Sequence, residues 1–236
     1  MADQSLNDIL KDLKKSEEKF SVFIPSQNQE IEFKSLSLSQ QKNIIDKVTV
    51  NSFGVVDFYN SVYEVIKTNA TCDLNSLNTI DRINIIVSLR GNINPLYEGI
   101  NIDALLEKNK TLQLPPLTKI VKTDKFEFEV TTPSLITDFK YNNYIINTYK
   151  EEKMFLGKLL VNELCKFITK ITVIDTGNII DFSNQSNKNK FSIIEAIDSK
   201  QLKEVFQYIS IIRDTEVEFV KFEDKQLDIS PDIFVM

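Results

Sequence analysis

The sequence contains no histidine and no tryptophan among its 236 residues, and it contains only two cysteines. Histidine is the side chain that most readily moves protons near neutral pH, and it is the commonest ligand of transition metals. Its absence removes the usual routes to acid–base, triad and zinc chemistry. The composition therefore favours a protein that works by shape and contact over an enzyme.

Glycine is also scarce, and the five glycines stand singly along the chain. Phosphate-binding loops of the P-loop and dinucleotide types need clustered glycines, so neither can form here. The two cysteines, Cys72 and Cys165, lie far apart and match no metal or redox motif. We expect both to be reduced thiols, with Cys165 packed on the apolar face of a helix.

Carboxylates are plentiful, so a paired-acid or magnesium enzyme must be considered. No candidate has the neighbours that make such motifs specific. The candidates are Asp46, Asp57, Asp81, Asp175 and Asp181. We expect no catalytic residue, no cofactor and no metal site.

The charge balance is acidic, with 34 Asp and Glu against 28 Lys and Arg. Duplex DNA is bound mainly by basic side chains that neutralise phosphates, so a general nucleic-acid partner is not expected. No apolar run approaches the roughly 18 residues that a membrane span needs, and the first residues do not resemble a secretory signal. We therefore expect a protein that meets neither nucleic acid nor membrane.

Hydrophobic periodicity predicts an α+β fold that is dominated by helices, with small antiparallel sheets or hairpins. Residues 1–19 read as an arm in which Leu6, Ile9, Leu10 and Leu13 recur at helical spacing. This arm is either a frayed helix or a segment that orders on a partner. Residues 20–95 read as a hairpin over 20–34, followed by three helices that begin near Ser37 or Ser39, Val55 and Thr79.

Proline and glycine between residues 96 and 116 predict a linker. The second half, residues 117–236, reads as α+β with an apolar C-terminal tail. Its predicted elements are a hairpin or two edge strands over 117–130, one broken or two separate helices over 133–169, strands over 170–184, a surface loop over 185–190, a helix over 191–213, and a strand at EVEFVKF.

Two features predict an interface. Arg82 and Arg90 lie eight positions apart on one predicted helix, in a chain with only three arginines. They form either an ion-paired helix face or anchors for a partner, because arginine is enriched in binding hot spots. The apolar side chains of the tail must dock on the chain itself or on a partner. These are Leu227, Ile229, Ile233 and Phe234, followed by Val235.

Several segments resemble a known family. A strand ending in Ile24-Pro25-Ser26 leads into IEFKSL and then into a helix that opens with SQQK, residues 39–42. The segment TIDRINIIVSLRGN follows, with Asp81, Arg82 and Arg90 in an otherwise apolar helix. Over residues 20–95 this is similar to the baseplate hub-component proteins of T-even-like contractile-tailed bacteriophages.

The resemblance implies a non-enzymatic virion protein, located in the tail baseplate and in the host cytoplasm during assembly. Its partners would be other baseplate or tail proteins, and it could form a homo-oligomer within a symmetric assembly. The alternative is an assembly chaperone that holds a hub or tail partner and then leaves. Both act through protein–protein contacts, which are permanent in the first case and transient in the second.

Overall fold

The computed structural model describes residues 18–50, 54–149 and 156–235, and the side chains of residues 48–50 are not described. Eight α-helices lie within these ranges, which confirms the predicted α+β class with its helical majority. They are α1 Leu38–Val50, α2 Val55–Asn69, α3 Thr79–Ile93, α4 Ile102–Asn109, α5 Leu135–Tyr149, α6 Leu156–Phe167, α7 Asn187–Glu195 and α8 Ser199–Glu218.

The strands form one antiparallel sheet of four strands and three two-stranded hairpins. They are β1 Lys19–Ile24, β2 Gln29–Lys34, β3 Leu96–Tyr97, β4 Ile100–Asn101, β5 Thr118–Lys122, β6 Phe126–Thr131, β7 Ile168–Val173, β8 Ile179–Asp181, β9 Lys221–Phe222 and β10 Lys225–Gln226. The predicted arm lies outside the described residues up to position 17, and its last residue, Lys19, begins β1.

The first hairpin and the helix after it follow the prediction. In β1 and β2, Val22 lies opposite Ile31 and Ile24 opposite Gln29, so alternate side chains face the core. At the start of α1 the Ser37 hydroxyl accepts a hydrogen bond from the Gln40 backbone N–H, and the Gln40 side chain accepts one from the Ser37 N–H. This reciprocal capping box satisfies two backbone donors that the first turn leaves open.

Helix α3 is the centre of the molecule, because every side chain from Thr79 to Arg90 is buried. A helix that is apolar on most sides is stable only inside a larger fold. It contacts the β1–β2 hairpin, α4, α5 and α8, so elements from both halves of the chain pack around it. The buried apolar side chains of both halves belong to one core.

The predicted linker is not a linker. Residues 96–116 contain the β3–β4 hairpin and α4, which buries Ile102 and Leu105 against α3. Gly91 permits this approach, because a Cβ atom there would lie 2.9 Å from Cγ2 of Ile102. The apolar pattern of α4 covers only eight residues, so the turn residues around it dominate the sequence signal.

The four-stranded sheet has the order β5-β6-β7-β8: it contains the strands predicted over 117–130 and 170–184, and β6 pairs with β7 between them. Val121, Phe128 and Ile171 lie opposite one another in register and are buried on its inner face. The outer face carries a cross-strand ion pair between Lys170 and Glu129 at 2.8 Å. One face is therefore core and the other polar, which is usual for antiparallel sheets.

The C-terminal half differs from the prediction in three places. The predicted surface loop 185–190 already contains the first turn of α7. The single helix predicted over 191–213 is two helices, because Asp198 accepts a hydrogen bond from the Lys200 N–H and begins α8. The strand predicted at EVEFVKF is wrong, since α8 continues to Glu218 and β9 contains only two residues.

Helical spacing explains the last difference. Ile212, Glu216 and Phe219 are all buried at intervals of four and three residues. The alternation of Val217 and Phe219 with Glu216 and Glu218 ends at Val220 and is too short to outweigh this face. Among the described residues, no helix is both long and apolar enough to cross a membrane.

Candidate functional site

The hairpin and the central helix are joined by a buried carboxylate. Asp81 is fully buried, and its side chain accepts hydrogen bonds from the backbone N–H and the hydroxyl of Ser26 at 2.8 and 2.7 Å. It also accepts one from the Asn78 N–H at 2.8 Å, which caps the start of α3. Burial raises the pKa of Asp81, although these hydrogen bonds oppose the change.

The next residue of α3, Arg82, begins a cluster of paired charges. The guanidinium of Arg82 is buried, forms an ion pair with Asp138 of α5, and lies 3.7 Å above the ring of Tyr59 of α2. Asp138 also accepts from Lys166 of α6 at 2.8 Å and from the side-chain amide of Asn142 at 3.1 Å. The buried carboxylate of Asp138 thus has three polar partners. Two come from the neighbouring helices α3 and α6, and the third comes from α5 itself.

The cluster continues to α8. Lys166 is paired with Glu163, and Glu163 is also paired with Arg213. Both carboxylate oxygens of Glu216 accept hydrogen bonds from Nη1 of Arg213, at 3.0 and 2.8 Å. Three cations and three carboxylates from four helices are joined in one chain of contacts, which we call the charge cluster (Arg82, Asp138, Glu163, Lys166, Arg213 and Glu216).

The carboxylates of the charge cluster differ in proton affinity. Burial alone would raise the pKa of Asp138, but the charges of Arg82 and Lys166 hold it well below its usual range. Lys166 and Arg213 likewise outweigh burial at Glu163 and lower its pKa. At Glu216 burial dominates and raises the pKa. We therefore expect Glu216 to bind a proton at a higher pH than the other two.

A cavity of about 300 Å³ is lined by the charge cluster, together with Tyr59, Asn142, Val55 and Val56. The three positive and three negative side chains of the cluster are paired with one another. None is therefore left unpaired to act as a base or a nucleophile or to bind a cation. The ion pairs of the cluster connect α3, α5, α6 and α8 to one another. Among the described residues, no group of three or more His, Cys, Asp or Glu could hold a metal ion.

The predicted interface residues on α3 face inward. Arg82 is 2% exposed and belongs to the charge cluster, so the ion-paired alternative describes it. Arg90 is 4% exposed, lies 4.3 Å above the ring of Tyr97, and donates to the carbonyl of Val235 at 3.3 Å. A buried guanidinium cannot contact a partner directly in this conformation. The prediction that Arg82 and Arg90 are direct anchors for a partner is therefore corrected: both are buried within the fold.

The tail docks on its own chain, which was one of the two alternatives. Leu227, Ile233 and Phe234 are buried, and Ile229 packs against the core while partly exposed. The ring of Phe234 lies 6.3 Å from that of Phe58. The turn Pro231–Phe234 packs against α1, so Leu227, Ile233 and Phe234 are core residues in this conformation and Ile229 lies at the edge of the core.

An apolar groove remains between α1 and the tail. It encloses about 450 Å³ and is lined by Leu38, Gln41, Lys42, Ile45, Asp46, Phe234 and Val235. Leu38 is 68% exposed and Val235 47% exposed. This groove, called the α1–tail groove below, is an exposed apolar surface of the kind that marks contact sites.

Sequence reasoning found Arg82 but not its partners. Asp138 lies 56 positions away, and nothing local in the sequence connects the two. The pairs Glu163–Lys166 and Arg213–Glu216 are three residues apart on their helices, which is a signal for ion pairing. That signal does not distinguish a buried pair from a solvated one, so the cluster could not be recognised from it.

Asp181 and Cys165, two further residues considered for chemistry, have structural roles. Asp181 accepts from the N–H and hydroxyl of Ser183 at a turn, at 2.8 and 2.6 Å. Cys165 is buried, and burial raises the pKa of its thiol to about 12, so it remains protonated near neutral pH.

Comparisons with protein-family models, with curated proteins and with solved structures found no match to this chain.

Proposed function

We propose that this protein is a structural subunit of a contractile bacteriophage tail baseplate, located in or beside the central hub, and that it acts through protein–protein contacts. The proposal rests on the resemblance of residues 20–95 to baseplate hub components. The observation that carries it is the contact between Ser26 and Asp81, because the two residues come from separate segments of that resemblance.

This contact makes the resemblance more informative than short motifs alone. Ser26 ends the first strand's segment, and Asp81 opens the apolar helix that follows some 55 positions later. A hairpin that is tied to the start of a central helix is one folded unit. The matching segments therefore belong together physically, which supports a shared architecture over a chance likeness of separate pieces.

The charge cluster supports a structural role over a catalytic one. Its carboxylates are each paired with cations, and its cations are each paired with carboxylates, so it connects the four helices through matched charges. Because the cost of burying charges offsets much of their attraction, we infer that the cluster here favours one arrangement of the helices more than it adds net stability. A subunit that must present fixed surfaces to several neighbours benefits from such fixing.

The second candidate is an assembly chaperone for a hub or tail protein. The α1–tail groove favours it, because an apolar surface that is exposed among the described residues can hold a partner and release it later. Both candidates use contacts, and they differ in whether the contact persists in the finished particle.

The test is quantitative mass spectrometry of gradient-purified particles and of infected-cell lysate, from the phage that encodes this chain. A fixed ratio to other tail proteins in the particles supports the structural subunit. Abundance in lysate and absence from particles replaces it with the chaperone. If this chain is absent from the particles and no tail protein co-purifies with it from the lysate, both candidates are overturned.

A matched pair of variants refines the test. Leu38→Asp places a charge in the α1–tail groove, and Leu96→Asp places the same charge at a 60% exposed leucine of β3. If the groove is a contact surface, Leu38→Asp lowers incorporation or partner capture and Leu96→Asp does not. Equal incorporation of the two variants excludes the groove as the contact.

A further inference from the structure

The α1–tail groove lies beside the point where the described chain begins. The carbonyl of Glu18 accepts a hydrogen bond from the backbone N–H of Ser35 at 2.9 Å. Ser35 is three residues before Leu38, the most exposed apolar side chain of the groove. Three residues span at most about 11 Å of extended chain. The chain that precedes Glu18 therefore enters the described fold close to one end of the groove.

The preceding segment, residues 1–17, lies outside the described residues, but its sequence is informative. Its apolar side chains are concentrated at positions 6, 9, 10 and 13, and most of its other residues are polar or charged. Leu13 is five residues before Glu18, and five residues of extended chain reach about 18 Å. Leu13 can thus reach Leu38 without any rearrangement of the hairpin.

The span of the apolar positions also matches the groove. Leu6 and Leu13 are seven positions apart, and so are Leu38 and Ile45, which line the groove on α1. The other wall is formed by Phe234 and Val235 of the tail. Lys42 and Asp46 on the rim and the mixed charges of residues 1–17 leave the apolar contact as the main driving force.

We propose that the α1–tail groove is the docking surface for residues 1–17 of the same chain, with Leu6, Ile9, Leu10 and Leu13 as the contacting side chains. A tethered segment binds at a high effective concentration, so a modest apolar contact suffices. The segment would then cover Leu38 and Val235 and hold the tail in place. A partner that uses this surface would have to displace the segment first.

The experiment is oxidative cross-linking in the full chain. Cysteines are introduced as Leu13→Cys and Leu38→Cys, with Cys72→Ala to remove the half-buried native thiol. Mass spectrometry after oxidation in dilute solution then measures the disulfide within one chain. We expect it to form rapidly in the native protein.

Positions 13 and 38 belong to one chain, so some cross-link could form even without docking. The rate of cross-linking is therefore compared between two matched variants that carry the same pair of cysteines. Ile9→Asp with Leu10→Asp charges the apolar positions, and Gln4→Asp with Asn7→Asp adds the same charge elsewhere in the segment. The proposal expects a several-fold slower cross-link in the first background and an unchanged rate in the second. Equal rates in both backgrounds overturn it.

The other occupants of the groove are separate outcomes of the same experiment. A cross-link that joins two chains, and that depends on protein concentration, replaces the proposal with docking of a second copy. If the cross-link does not form, but contact with tail proteins still shields position 38 in particles, the groove is assigned to a partner. Neither result bears on whether the chain is found in particles, so the proposed function is tested independently.

Discussion

Ser26 donates both its backbone N–H and its hydroxyl to the two carboxylate oxygens of Asp81, across 55 positions of sequence. The turn of the first hairpin is thereby fixed to the first turn of the central helix. Because Asp81 also accepts from the Asn78 N–H, one carboxylate satisfies three donors in a buried place.

Removal of this carboxylate should destabilise the fold strongly. Asp81→Ala leaves the partly buried donors of Ser26 and Asn78 without their partner, and an unpaired buried donor costs about 1–3 kcal/mol. We expect a loss of unfolding free energy of about 2–4 kcal/mol, measured by urea denaturation. The matched control is Asp124→Ala at an exposed turn, where a change below about 0.5 kcal/mol is expected. Similar losses in the two variants would contradict the role of Asp81.

The ion pair between Arg82 and Asp138 should show strong coupling. Arg82→Met leaves Asp138 with only part of its compensating charge, and a broken buried pair costs about 3–5 kcal/mol. The double variant Arg82→Met with Asp138→Leu should recover much of that loss, because no uncompensated charge remains at this pair. A double-mutant cycle measures the coupling. Additive losses in the cycle would show that the two residues act separately.

Acidification should destabilise the protein through Asp138 and Glu163. Both have a pKa below its unfolded value, so their contribution is complete above the unfolded pKa of about 4 and is lost as the pH falls below it. Asp138→Asn should therefore be less stable than the parent at pH 7 and should lose less stability on acidification. Chemical denaturation from pH 7 to pH 3 measures both effects.

Glu216 supplies the control within the same cluster. Its pKa is raised, so its charged form lowers stability as the pH rises through that pKa, which is the opposite sign. Glu216→Gln should thus cost less at pH 7 than Asp138→Asn and should leave the acid sensitivity of the other carboxylates in place. If Glu216→Gln removed the acid sensitivity and Asp138→Asn did not, the assignment would be reversed.

The tail should contribute to stability through its buried ring. Phe234→Ala removes a fully buried side chain that packs near Phe58, and such changes cost about 3–5 kcal/mol. Val235→Ala, at a side chain that is 47% exposed, should cost less than about 1 kcal/mol. Thermal or urea denaturation compares them. A tail that only serves a partner would give two equally stable variants.

The two thiols should differ in reactivity. Burial raises the pKa of both, but Cys165 is buried and its thiol has a pKa of about 12, whereas Cys72 is half-buried. At pH 8 a thiol-specific reagent should modify Cys72 slowly in the native protein and Cys165 only after denaturation. A Cys72→Ala variant that still reacts rapidly without denaturant would show that the region around α6 opens readily.

The elements that the sequence predicts well are those with a local signal. The first hairpin, the Ser37 cap, α2 and α3 each have a period, a turn or a cap within a few residues. The failures occur where the signal is short or shared. Helix α4 has only eight residues between turn-like segments, and residues 214–218 fit either a strand or the end of a helix.

The site was less predictable than the fold because its contacts are distant in sequence. Arg82 was recognised as unusual, but its pairing depends on Asp138 and on the packing of α3 against α5. The fate of the tail was also undetermined, since apolar residues fit a core and an interface equally well. The burial of Leu227, Ile233 and Phe234, and the contact of Phe234 with Phe58, distinguish the two.

The closeness of Phe58 and Phe234 has a consequence for protein synthesis. The two rings meet across 176 positions, and ribosomes add about 5–20 residues per second, so Phe234 follows Phe58 after roughly 9–35 s. Throughout that interval the nascent chain carries α2 with an apolar face that its final cover has not yet reached. The growing polypeptide therefore passes through a long period in which it is most open to aggregation and to capture by the chaperones of the translating cell.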